Sequence, residues 1–516
     1  VTGVTAGPAG WSRRGLLRTG GSLAVAAGLG CAAEGARGTA TASPGPATAD
    51  SGAVSSGTGQ VRGFRSRPDL RPPATRVTTA RGGTAPGLIV TGPYLSDAAQ
   101  QGPMLTGADG DLVWFRPLSA HGSPAMRPFD VRVQRYRGKK VLTWFQGATV
   151  NGHGQGSYLV ADSSYRTVAH LHAGNGYAGD LHEFLITDQG TALFTCYGRA
   201  RADLTGVGGK ADGTYFYGVV QEMDIATGTV LFQWRTDAHI GLGESYAPVP
   251  RQAPWDPYHV NSVNVAADGN LIVSLRNTWA AYKIDRSSGR VLWRLGGKKS
   301  DFEVSPAARF AWQHHVTPHP GGAYTVFDNG SGGPGLRAES WSRGLLLAVD
   351  EQARKATLTR AYVHGSPRVL SPALGSVQLL PDGHVFVGWG QSPYATEYAP
   401  DGTVLYDLEL EDGHTVSYRA FRAEWTGRPG GAPALAASAV PGGLELYVSW
   451  NGDTEVRHWR VLLGSARGQL SAHGTMARTG FETKIAVSRR ASFVAVAGLD
   501  GRGRELGRSA VHAVPA

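Results

Sequence analysis

The chain has 516 residues, with 73 Gly, 13 Trp, 18 Tyr and 15 Phe, and 17% of its residues are charged. So many aromatics exclude a mostly disordered chain, and glycines without a three-residue period exclude collagen. The net charge of +10 contains no block of like charge, so a nucleic-acid partner is not expected, and two cysteines exclude a disulfide scaffold and a four-thiolate metal site.

Taken in chain order, residues 1–31 read as an export signal. Ser12-Arg13-Arg14-Gly15-Leu16-Leu17 has the twin-arginine pattern, and the apolar run from Leu16 to Leu29 is too short to span a membrane. Cys31 follows Gly28-Leu29-Gly30, as at a lipoprotein cleavage site, and is the candidate lipidation residue. The expected location is extracellular or at the cell surface, reached through the twin-arginine machinery, with membrane contact only through a lipid on Cys31. Residues 32–75 are dominated by Ala, Gly, Ser, Thr and Pro and are expected to form a disordered tether.

From there one pattern recurs: Asp, a short turn with Gly, then Val-Leu and an aromatic residue. It runs through Asp109–Trp114, Asp162–Val168, Asp224–Trp234, Asp285–Trp293, Asp350–Leu358 and Asp401–Tyr406. The copies lie roughly 45–65 residues apart, a propeller-blade period. A second hairpin sits between them, around Gly190, Gly269, Gly322 and Gly383. Two hairpins per unit predict an all-β six-bladed β-propeller over residues 76–430. Short strands over 432–516 predict a small immunoglobulin- or fibronectin-like β-sandwich.

Counting back about eight residues from each inner turn glycine reaches one structural level. It holds Asp130, His182, Asn261 with His259 two residues earlier, His314 with His315 next, and Gly375. Clustered imidazoles supply nucleophiles and proton carriers near neutral pH. Arg276, Arg337 and Arg343 flank the same level, and a guanidinium matches the oxygens of a sulfate. No Walker or Rossmann loop offers a seat to a nucleotide, so no cofactor is expected. No short metal-binding spacing occurs and no metal is predicted, although spacing leaves a dispersed three-histidine site open.

The runs Trp255–Val263, Ile272–Asn277, Gly289–Asp301, Trp312-Gln313-His314-His315 and Phe327-Asp328-Asn329-Gly330 resemble the arylsulfotransferase family, in its actinomycete and fungal branch. Ser342-Arg343, Gly375-Ser376-Val377 and Tyr418-Arg419 continue the resemblance, which covers about residues 85–430. It implies a six-bladed propeller that moves sulfate from a small aryl sulfate donor to a phenolic acceptor without a nucleotide donor. It also implies a ping-pong path in which a channel histidine attacks sulfur. His259 matches the first family histidine, and His314 or His315 the second, with His315 favoured. His182, Asn261, Arg276 and Asn329, with Arg337 and Arg343, are the expected substrate contacts. The family arginine falls at Gly332-Gly333, so Arg337 or Arg343 stands in for it. The family nucleophile aligns near Gly375–Gln378, where no histidine stands. That leaves His315 or His259 as nucleophile, or direct transfer. The alternative is a non-catalytic surface propeller that binds an aromatic or glycan ligand.

Overall fold

The structure, a computed structural model, describes residues 61–95, 99–119, 125–411 and 414–514. The twin-arginine segment and Cys31 lie outside the described residues. Among the described residues no helix is long and apolar enough to cross a membrane.

The protein is all-β. Among the described residues, six antiparallel four-stranded units follow one another along the chain. Each is named here by its first strand: Val416–Ala423, Arg127–Tyr136, Gly179–Ile186, Val260–Val265, His314–Pro318 and Ser376–Leu379. The second and third units share one hydrogen-bonded path through the Gly156–Gly179 bridge. The first unit joins both ends of the region, because Val416–Ala423 pairs with Leu88–Tyr94. The sixth carries Thr75–Ala80 on its outer strand, Val404–Leu410.

The recurring Asp-Gly pattern is the turn between the third and fourth strands of each unit. Asp285 shows why: its Oδ1 accepts the backbone N–H groups of Ser287 and Ser288, and Gly289 takes the left-handed conformation at φ 74°. This is the Asx-turn chemistry that Asp and Gly favour. Asp224 with Thr227 and Asp401 with Thr403 repeat it.

Inner strands are the more buried, Leu271–Leu275 along its whole length, whereas the outer strand Val291–Gly296 is buried only at alternate positions, Trp293 and Leu295. The six first strands lie side by side in cyclic order, the sixth beside the first. Side-chain hydrogen bonds join neighbours around this ring. Phe184 N–H donates to Asp130, Tyr197 OH to Val260 O and Asn261 Nδ2 to Gln313 O. Val377 N–H donates to His315 Nδ1, Ser376 Oγ to Ala420 O and Arg419 to Asp130.

Residues 434–513 form two further sheets around their own core, which includes Leu446, Trp459, Val461 and Val496. Asn451 docks them on the first unit by accepting Phe115 N–H and donating to Phe115 O. The expected tether ends too late. Leu70 is fully buried among Met104, Leu112, Phe115, Leu410 and Phe481, and Val61 bridges Pro73. Phe64 against Phe481, Ser66 on Glu482, and Arg62 on Asp111 hold the same segment to the fold.

Candidate active site

His182, His259 and His314 come from the third, fourth and fifth units. Each offers a ring nitrogen, and the three nitrogens lie within 4.8 Å of one another. Each imidazole is held from behind by an oxygen. His182 Nδ1 is 2.7 Å from Asp180 Oδ2, His259 Nδ1 is 2.6 Å from Asp256 Oδ2, and His314 Nδ1 is 2.7 Å from Asn329 Oδ1. The Asn329 amide is oriented by its own donations to Ser371 O and Leu374 O, which turn its oxygen to His314. An oxygen acceptor at each Nδ1 selects the Nδ1–H tautomer and leaves Nε2 with a lone pair.

The local chain builds these supports. Asp256 Oδ1 accepts the His259 N–H in a tight turn, which frees Oδ2 for the ring. Oδ2 also meets His153 Nε2 at 2.9 Å, and the His153 ring stacks on Tyr197 with centroids 3.8 Å apart. Asp180 accepts Gly154 N–H and Thr195 Oγ1–H besides His182. His259 itself has φ 53°, a left-handed conformation that costs a non-glycine residue about 1–3 kcal/mol and tends to persist at functional sites. Gly375 (φ 108°) has no freedom to carry a side chain, because a Cβ there would lie 2.4 Å from the Phe327 ring.

Arg276 supplies the positive charge. Its guanidinium lies 5.0 Å from the Trp312 ring, donates to Asn277 Oδ1 and Pro372 O, and keeps a buried Nε–H without a partner. Burial pushes it down to about 10, with Asp256 pulling the other way, so it stays charged at neutral pH.

Burial also pushes His259 down to about 4, against the pull of Asp256. Burial, followed by the Arg276 charge, holds His314 well below the usual histidine range. Burial opposes ionisation of Asp180 and Asp256, but the histidines outweigh it and hold both carboxyls below their usual range. A rate that needs neutral His259 is therefore expected to persist as pH falls through 6.5 and to disappear only toward pH 4. Stability has the matching sign. The unfolded histidine binds its proton near pH 6.5, the folded one only near 4, so stability falls with pH across that window and levels off below it. Thermal unfolding followed from pH 7.5 to 4 checks this, with His259→Gln expected to flatten the slope.

The other expected site residues are placed as follows. His315 is not in the cluster. It has φ 50°, accepts Val377 N–H and meets the Phe421 ring edge-on. Its ring is held by Val377 and Phe421, whereas His314 is held by Asn329 beside His182 and His259. Asn329 is a positioning residue behind His314. Asn261 binds Gln313 O and keeps a buried Oδ1 without a partner. Arg337 is spent on Glu339 O and Ser340 O of its own loop, and Arg343 on Asp328 and Glu339. Sequence reasoning passed over Asp180, Asp256, His153, Tyr197 and Tyr418. The first two had a signal, an Asp two or three residues before a candidate His. His153 had none, because it reaches the site from a neighbouring unit's third strand.

Buried ion pairs join the first strands of neighbouring units. Arg419 is fully buried and binds Asp130, Glu183 and Asn261 O, thus joining the first, second, third and fourth units. Arg132 binds the same two carboxylates. Burial weakens the Arg419 charge, but Asp130 and Glu183 outweigh it and hold its proton more tightly than usual.

The protein is thus an all-β ring of sheets with a buried imidazole cluster, two of its rings backed by carboxylates and one by an amide, beside an arginine. Residues 132–411 match the arylsulfotransferase (ASST) family, and the chain belongs to that family. No curated protein matches it. Among solved structures it is similar to a protein of unknown function from Bacteroides caccae, at 13% identity and TM-score 0.40, over 65% of this chain and 98% of that one. It is also similar to a Lactobacillus plantarum protein, at 13% identity and TM-score 0.34 over 77% and 97%. A virginiamycin B lyase from Staphylococcus aureus matches at 9% identity and TM-score 0.31, over 74% and 93%.

Proposed function

We propose that this chain is an exported arylsulfotransferase that moves a sulfuryl group from an aryl sulfate to a phenol at the His182–His259–His314 cluster. In this reading the six units are the blades of a propeller, and the C-terminal sheets an immunoglobulin- or fibronectin-like sandwich. The twin-arginine segment motivates the export. The observation that carries the chemistry is the neutral His259, pinned at Nδ1 by Asp256 and free at Nε2, beside the Arg276 guanidinium.

Neutral imidazole is a competent nucleophile, and a carboxylate behind it stabilises the cation that forms on attack. His259 Nε2 forms a bond to sulfur as the S–O bond to the first phenol breaks, and the phenolate leaves with that electron pair. A second phenol then attacks the sulfo-histidine, surrenders its proton to solvent or a neighbouring imidazole, and returns His259 to its neutral form. Arg276, with one unpartnered N–H, is suited to the sulfuryl oxygens, where negative charge gathers in both steps. His182 and His314 shape the space and accept protons.

Purified protein incubated with 4-nitrophenyl sulfate should release nitrophenol, faster with added phenol, and phenyl sulfate should appear in equal amount. Arg276→Ala is expected to lower kcat/KM about 10²–10³-fold, as loss of a preorganised charge does elsewhere. No release with any of several phenols, from folded protein, would overturn the reading.

A further inference from the structure

The three imidazoles have a second consequence that sulfuryl transfer does not require. We infer that His182, His259 and His314 form a binding site for one divalent transition-metal ion of the zinc type, and that metal binding and nucleophilic use of His259 exclude each other. Only that exclusion rests on the sulfotransferase reading; the site stands without it.

The argument starts from lone pairs. All three rings present their Nδ1–H outward to Asp180, Asp256 and Asn329. Each ring brings one ligating nitrogen to within 4.8 Å of the other two, and with Nδ1 held from behind, Nε2 is the nitrogen left to offer; lone pairs gathered in this way repel one another. The Leu374 N–H donates to His314 Nε2 at 3.3 Å, a bond that a metal there would replace, and His182 and His259 have no such donor within the described residues. A cation is the group that satisfies all three at once. Zinc holds imidazole nitrogens at about 2.0 Å, which sets their mutual spacing at roughly 3.3 Å in a tetrahedron, so closing from 4.8 Å takes small ring movements.

The surroundings fit the same ion. Imidazole ligands suit Zn, Cu and Ni, and a ligating histidine commonly donates its other N–H to a carboxylate or amide oxygen, as each does here. Asp180 and Asp256 contribute two negative charges behind the ligands and Arg276 one positive charge beside them, so the site remains net negative. Neither Tyr197 nor Tyr418 is positioned as a fourth ligand, since both hydroxyls donate to backbone carbonyls, of Val260 and Asn261. The fourth position therefore belongs to water or a substrate oxygen. Metal on Nε2 occupies the lone pair that attacks sulfur, which is why loading should inhibit.

The test titrates Zn²⁺ into chelator-treated full chain by calorimetry and records the visible spectrum of the Co²⁺ form. One ion per chain is expected, with a Co²⁺ spectrum of low-coordinate nitrogen ligation. His182→Gln and His314→Gln should each weaken binding about 100-fold while thermal unfolding shows them folded. Arg276→Ala should bind more tightly, which a merely structural disturbance would not produce. Absence of saturable binding, or binding indifferent to both glutamine variants, would overturn the site. The nitrophenol assay separates the two proposals. Metal binding with no transfer, with or without metal, leaves the site and removes the sulfotransferase reading. Transfer without metal binding does the reverse. Loading that lowers the rate at least tenfold supports the exclusion, and loading that raises it overturns the exclusion alone.

Discussion

His259→Ala is expected to reduce nitrophenol release by about 10³-fold or more, because in the proposed mechanism it removes the nucleophile rather than one of several supports. Exogenous imidazole should restore part of the rate, since the Asp256 acceptor and the Arg276 charge remain in place. Mass spectrometry of rapidly quenched wild-type protein should find a sulfuryl adduct on the peptide holding His259, and none in the variant. His315→Ala is the informative contrast. Its ring is held by Val377 and Phe421, so its loss should change the rate less than tenfold. A reversed ranking of the two variants would move the chemistry to His315.

The second large effect lies in stability. Arg419→Met should destabilise the fold by about 3–5 kcal/mol, the usual cost of breaking a buried pair from one side. In the wild type two arginines, Arg132 and Arg419, face two carboxylates, Asp130 and Glu183. The variant leaves one negative charge unbalanced in the interior. Chemical denaturation at neutral pH measures the loss, and adding Glu183→Gln should recover part of it by restoring the balance. A loss below about 1 kcal/mol would mean that water reaches this layer. Because Glu183 follows His182 directly, the same variant should also lower transfer, through displacement of the third unit's first strand.

The family followed from local motifs, and so did the sheet-by-sheet order of hairpins. Asp285, Asp224 and Asp401 bind backbone groups within three residues, so their turns are written in the adjacent sequence. Counting from turn glycines then brought His182, His259 and His314 to one level, because strand rise is regular. What no count supplied was direction. The left-handed backbone at His259 and His315 interrupts simple alternation, and which of His314 and His315 faces the cluster depends on packing against Asn329 and Val377. Arg337 and Arg343 looked equivalent to Arg276 in sequence, yet their guanidiniums are committed to Glu339 O and Asp328, respectively.

By itself, then, the sequence determined the all-β class, the repeated hairpins, the family and a short list of imidazoles. Those properties depend on turn chemistry and spacing within a few residues. The tertiary structure decided which imidazoles meet, that Arg419 joins four units, and that residues 61–75 belong to the fold. Each of these rests on side chains from distant parts of the chain, often more than fifty residues apart, whose contact exists only once the ring has closed.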